Sequence, residues 1–201
     1  MDPEALARVL AAERPAAVYV TPTTNNPTAV TMDAGRRAAI AQAARGARVW
    51  IVEDDPYARL LERPLPSLAS LAPERTFHIA TLSKCLSPGL RTAYLVPPPG
   101  PTVATTAEAL RALAQMPAPL MTAVVTAWIR EGTAEALLAG VRREALARRA
   151  LAAEMLPTAR GAAESLHVWL DLPAGRDPAR LRRLAQERGL ALVAADAFAA
   201  A

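Results

Sequence analysis

The apolar positions of this chain fall into short unbroken runs that alternate with longer, mixed stretches. Residues 3–13 predict a helix with Pro3 in its first turn, where a missing N–H costs nothing. Residues 16–20 predict a short buried strand, closed by Thr21 and Pro22. Residues 33–46 predict the next helix, with Thr31 or Asp33 as N-cap and Ile40 on the apolar face. Residues 49–52 form a second apolar run that leads straight into Glu53-Asp54-Asp55-Pro56-Tyr57. A proline-rich loop covers 63–73. Residues 77–80 and 93–96 predict two more strands, the last closed by Pro97-Pro98-Pro99-Gly100. Helices are expected over 102–115, 119–131, 133–156 and 178–188, with Gly189 as a C-cap. Residues 166–172 alternate as a strand does, and 190–193 predict a final strand.

Strands that are apolar on both faces, separated by helices or long crossings, indicate an α/β fold with a mostly parallel sheet and helices on both faces. Ligands of such sheets bind beyond the carboxyl ends of the strands. Three polar clusters lie just there: Asn25/Asn26, Asp54/Tyr57 and Ser83/Lys84. They are far apart in sequence but able to converge on one ligand.

Composition narrows the choices. With 201 residues and 52% hydrophobic content, the chain can build a sizeable core, although alanine inflates the apolar count. The net charge of +4 raises nucleic acid as a partner. The arginines, however, are spread through helices beside Glu and Asp with no interleaved aromatics. That pattern, including Arg142, Arg143, Arg148 and Arg149, reads as solvated helix surface, and no nucleic acid is expected through this segment. One cysteine excludes an internal disulfide, and cytoplasm is the expected location. No apolar run reaches membrane-spanning length, so no membrane partner is expected. His78 and His167 are the only histidines, and both fall in expected strands. They are expected to be core or edge residues, and no metal site is expected.

Lys84 is the only lysine; the other 22 of the 23 basic Lys and Arg side chains are arginine. Arginine can replace lysine as a surface charge. It cannot replace it as a nucleophilic amine, because guanidinium keeps its proton. Lys84 stands among the hydroxyls of Thr81, Ser83 and Ser87, with Arg91 seven residues on. Hydroxyls and an arginine suit a phosphate, and a lysine amine suits a carbonyl. Pyridoxal 5'-phosphate (PLP) carries both groups. Such a cofactor also needs a carboxylate at its ring nitrogen, for which Asp54 is the candidate. Tyr57 and Asn26 are available for its ring hydroxyl. Each of these has a plainer reading: a surface lysine, a turn or cap before Pro56, turn chemistry before Pro27, a core tyrosine.

These residues resemble the fold-type I PLP-dependent aminotransferases of class I/II. The resemblance is strongest to the aminotransferase-like domain of MocR-type GntR-family regulators. Thr21-Pro22…Asn25-Asn26-Pro27-Thr28 is similar to the family's N-P-T-G loop. Glu53-Asp54-Asp55-Pro56-Tyr57 is similar to its D-x-x-Y strand end. Thr81-Leu82-Ser83-Lys84…Pro88-Gly89-Leu90-Arg91…Tyr94 is similar to its S-K-x-x-x-P-G-L-R-x-G-Y segment. The resemblance implies that Lys84 is catalytic and carries the cofactor as a Schiff base. It implies that Asp54 pairs with the ring nitrogen, and that Asn26 and Tyr57 hold the ring oxygen. Thr81, Ser83 and Arg91 would bind the phosphate. Amino transfer between an amino acid and a 2-oxo acid is the implied activity. The alternatives are an effector-sensing domain of a transcriptional regulator, or an inactive truncated remnant. A homodimer is implied as well.

Two departures stand out. Ala29 takes the place of the family glycine, and Thr92-Ala93 replaces a residue-glycine pair; each adds a methyl where backbone comes close, at modest expected cost. Set against the family, 1–118 corresponds to part of the large domain, 119–156 to long connecting helices and 157–201 to part of a smaller α/β domain. Both ends of the family fold are expected to lie outside this chain, along with the arginine that grips a substrate carboxylate and the aromatic that stacks on the ring.

Overall fold

The computed structural model describes residues 1–199. Four strands, β1 (Ala17–Val20), β2 (Trp50–Asp54), β3 (Thr76–Thr81) and β4 (Ala93–Val96), form one sheet in the order β1-β2-β3-β4. The first three are parallel, and β4 runs antiparallel to β3. Seven helices accompany them: α1 (Pro3–Glu13), α2 (Ala34–Ala47), α3 (Leu68–Leu71), α4 (Pro101–Ala114), α5 (Pro119–Arg130), α6 (Thr133–Met155) and α7 (Pro178–Gln186).

Local chemistry sets the helix ends. The Asp2 carboxylate accepts from the backbone N–H groups of Glu4 and Ala5, satisfying two donors that α1 cannot pair internally. Asp33 does the same for α2 through Arg36 N, so the cap is Asp33 and not Thr31. The proline-rich loop holds one surprise, the single turn α3, capped by Ser67.

The main core lies on one face of the sheet. Val18, Val20 and Ile51 meet Leu6 and Leu10 of α1, Ile40, Ala41 and Ala44 of α2, and Leu68 of α3. Fully burying one such side chain contributes roughly 1.5–3 kcal/mol. On the other face, Tyr19 of β1 remains 61% exposed. A second, smaller cluster joins Tyr57, Leu60, Cys85 and Leu138, so α6 packs over the turns that follow β2 and β3. Arg142 of α6 secures this contact by donating to Arg59 O from Nε and Nη2, at 3.0 and 2.6 Å.

The strands expected at 166–172 and 190–193 do not form. Among the described residues, the only pairing there is an isolated antiparallel bridge between Arg160 and Trp169. Leu166, Leu190 and Val193 stay exposed. Alternation supplies one apolar side, but a strand also needs a neighbour for its backbone groups, and none is offered among the described residues.

Candidate active site at the carboxyl ends of the strands

The register of the sheet sorts the three acids at the end of β2. Side chains alternate along a strand, so Asp54 projects from one face, and Glu53 and Asp55 from the other. Tyr19 pairs with Val52 and therefore shares the Asp54 face. Its hydroxyl donates to Asp54 Oδ2 at 2.6 Å. That bond raises the Tyr19 pKa, with burial adding to the rise. A cleft of about 430 Å³ opens here, and Met1, Tyr19, Asn26, Asp54 and Tyr57 are among the residues that line it. Asn26 is exposed in it, and Tyr57 is buried, with its phenol pushed upward by burial first and by Asp54 second. Two of the three expected clusters thus share one cleft.

The third cluster lies on the adjoining strand. Asp54 pairs with Ile79 of β3, and Thr81 ends that strand two residues later. The Thr81 hydroxyl donates to Ser83 Oγ at 3.0 Å and accepts from Ser83 N at 3.2 Å. A tight turn follows, with Leu86 N donating to Leu82 O at 2.9 Å. Within this turn Cys85 points into the small core, where burial raises its thiol pKa, while Lys84 is exposed. The apolar thiol anchors the turn and leaves the lysine outward. Ser87 caps the single 3-10 turn Pro88–Leu90, and Arg91 leaves it exposed, with φ 46°. Lys84, Thr81, Ser83 and Arg91 are not among the residues that line the Asp54 cleft. They form a second group at the end of the next strand.

Reading the sequence misses three participants. Tyr19 reads there only as core, although its period-two spacing from Thr21 puts both on the Asp54 face. His167, expected within a strand, lies in an irregular segment; its ring sits 5.6 Å from that of Tyr57, with Nε2 3.2 Å from Asn25 O. Asp55 reads as part of a turn, yet it is buried beside Arg37. Of the expected histidines, His78 lies in β3 with Nδ1 2.9 Å from Glu53 Oε2. Among the described residues, no cluster of three His, Cys, Asp or Glu is arranged to hold a metal, and no helix is long and apolar enough to cross a membrane.

Comparison with known proteins bears on the family and the fold. The family model for aminotransferase class I and II matches residues 1–200. An uncharacterized HTH-type transcriptional regulator of Bacillus subtilis, YdeF, is 32% identical over 98% of this chain and 43% of its own length. The α-aminoadipate aminotransferase of Thermus thermophilus, solved with N-(5'-phosphopyridoxyl)-L-leucine, is 30% identical with a TM-score of 0.80. That alignment covers 94% of this chain and 52% of the enzyme. The kynurenine aminotransferase of Pyrococcus horikoshii is 26% identical with a TM-score of 0.86, over 97% of this chain and 51% of that one. The chain therefore spans about half the length of these relatives. The family match runs along the length of the chain and the solved structures share its fold: the chain belongs to the class I and II aminotransferase family.

Proposed function

We propose that this chain is the cofactor-anchoring part of a PLP-dependent aminotransferase-like protein that moves an amino group between an amino acid and a 2-oxo acid. One observation carries the reading. The Asp54 carboxylate stands at the end of a parallel strand, in a cleft shared with Asn26 and Tyr57, one strand away from the only lysine.

The side chains present fit the group. Asp54 offers a carboxylate to a ring N–H, and Asn26 and Tyr57 offer donors to a ring oxygen. Thr81 and Ser83 offer hydroxyls to a phosphate. Arg91 adds a planar fork that can meet two phosphate oxygens at once. When bound, the cofactor supplies an electron sink for charge that develops on the carbon bearing the amino group. In this proposal Asp54 holds a proton at the ring nitrogen and so keeps that sink effective. Lys84 is the one ε-amine able to bond the aldehyde. As a free amine it would also be the base that moves a proton at the substrate carbon bearing the amino group.

A second reading has its own support, the 32% identity with an HTH-type transcriptional regulator along nearly the whole chain. There the same residues would hold the cofactor, or cofactor and amino acid, as an effector site. Either reading includes a homodimer and a cytoplasmic location.

The test uses the uniqueness of Lys84. The protein is incubated with PLP, reduced with borohydride and mapped by peptide mass. Cofactor mass on the peptide containing Lys84 is expected. Mass on the Met1 amine alone, or on nothing, contradicts the assignment. Formation of a 2-oxo acid from an added amino acid then supports the transferase, and cofactor binding without turnover supports the sensor.

A further inference from the structure

Beneath the cleft lies a buried ionic cluster that the proposed chemistry does not use. Arg37 of α2 is 1% exposed. Its Nε donates to Met32 O at 3.0 Å, and its Nη2 donates to Pro22 O at 3.3 Å and to Thr23 Oγ1 at 2.9 Å. Nη1 donates to Pro66 O at 3.3 Å and lies 3.8 Å from Asp55 Oδ2. The Thr23 hydroxyl in turn donates to that same Asp55 oxygen at 2.8 Å. Pro22 and Met32 are the two ends of the loop that carries Asn26, and Met32 N closes that loop on Pro22 O at 2.8 Å. Asp55 directly follows Asp54, and its N–H is tied to Ile79 O of β3 at 3.1 Å.

A guanidinium with no solvent access is costly to bury unless its donors are used and its charge is faced. This one directs its donors to both ends of one loop, to the hydroxyl between them and to the proline loop, and it faces the carboxylate of a neighbouring strand. We infer that Arg37, Thr23 and Asp55 form a positioning brace that fixes the separation between the Asn26 loop and the Asp54 strand end. The inference rests on the proposed cofactor reading. Under that reading, Asn26 and Asp54 grip two different edges of one rigid ring, so their spacing sets affinity as well as stability.

The brace has a titratable member. Burial pushes the Asp55 carboxyl up to about 6, against the Thr23 bond and the Arg37 charge, with Glu53 adding to the rise and His78 opposing it. Above that value Asp55, the residue that follows β2, is charged and faces Arg37; below it the pairing of charges is lost. The groups around it are Arg37 from α2, Thr23 from the loop, Glu53 from β2 and His78 from β3.

Cofactor affinity by absorbance titration, on protein shown folded by circular dichroism, tests the brace. Thr23→Val keeps the shape but removes the bridging hydroxyl, and Arg37→Lys keeps the charge but removes the fork. Each is expected to weaken PLP binding about tenfold, and to add little to an Asn26→Ala change, because neighbours in one network are not additive. Parent affinity is expected to fall as pH drops through about 6, and Asp55→Asn to lack that inflection. A merely structural role would lower the melting temperature and leave affinity on folded protein unchanged. Parent-like affinity in Thr23→Val, or full additivity with Asn26→Ala, overturns the brace alone. A folded parent that binds no PLP overturns the cofactor reading, and the brace with it.

Discussion

The first hundred residues and the rest of the chain solve the folding problem differently. In the first part, α1, α2 and α3 close over the sheet, and Ile40, Ile51 and Leu68 have no exposed surface. In the second, α4 and α7 bury no residue fully, and Leu113 is 86% exposed. The chemistry-bearing residues follow this division. Asp54 ends a strand of the closed part, and Asn26, Tyr57 and Lys84 sit on turns that leave it. From the second part, α6 reaches them through Leu138 and Arg142, and His167 reaches Tyr57 and the carbonyl of Asn25. A polar site is held to fixed geometry by the rigid elements under it, and here those elements are the sheet and α2.

The largest effect that could break the comparison is a matched pair of truncations. Ile40→Ala is expected to cost about 2–5 kcal/mol, because the closed core leaves a cavity. Leu113→Ala is expected to cost under about 0.5 kcal/mol, since that side chain is already in water. Urea unfolding measures both, and equal costs would erase the distinction between the two regions.

A smaller effect sharpens it, at the Glu53–His78 pair under the sheet. The bond from Glu53 raises the His78 pKa above 6.5, with burial opposing. Burial pushes Glu53 upward, but the bonds from His78, Leu68 N and Ala69 N outweigh it and hold the carboxyl below 4.5. A raised histidine contributes stability that is fully present below pH 6.5 and lost as pH rises through its folded value. A depressed carboxylate contributes stability that is present above pH 4.5 and lost as pH falls through its folded value. His78→Asn is therefore expected to destabilise most between pH 4.5 and 6.5 and less at higher pH. Denaturation across a pH series reads this directly, and a pH-independent loss would show that the pair acts by packing alone.

The smallest effect concerns Ala29, where the family has glycine. Ala29 adopts φ 56° and is buried. Left-handed backbone costs an alanine roughly 1–2 kcal/mol. Glycine would relieve this, but its chain entropy offsets roughly 0.5–1 kcal/mol and the lost buried methyl about 0.8 kcal/mol. Ala29→Gly is thus expected to change stability by less than about 1 kcal/mol in thermal unfolding. A large gain would mean that the methyl strains the Asn26 loop more than its backbone angle indicates.

The four strands of the sheet and the six longer helices were legible in the apolar pattern and the capping residues, to within a residue or two. The seventh, α3, hides in a proline-rich loop because its existence depends on Ser67 and on Glu53, which accepts from Leu68 N and Ala69 N. The strands expected at 166–172 and 190–193 failed because alternation does not reveal whether a partner strand exists. At the site, single residues with distinctive chemistry could be read from sequence: one lysine, two asparagines, an acid at a strand end. Contacts set by register and tertiary packing could not, which is why Tyr19, His167 and the Arg37–Asp55 pair went unseen. Asp54 and Asp55 look alike in sequence, but strand alternation sends one to the cleft and the other to the core.

The most direct test of the central claim is an absorbance titration with PLP, comparing the parent chain with Lys84→Ala and Asp54→Asn. The account predicts a saturable visible band in the parent, no such band in Lys84→Ala, and a weakened, pH-shifted band in Asp54→Asn. A Lys84→Ala protein that binds and absorbs like the parent would contradict it, as would a folded parent that never shows the band.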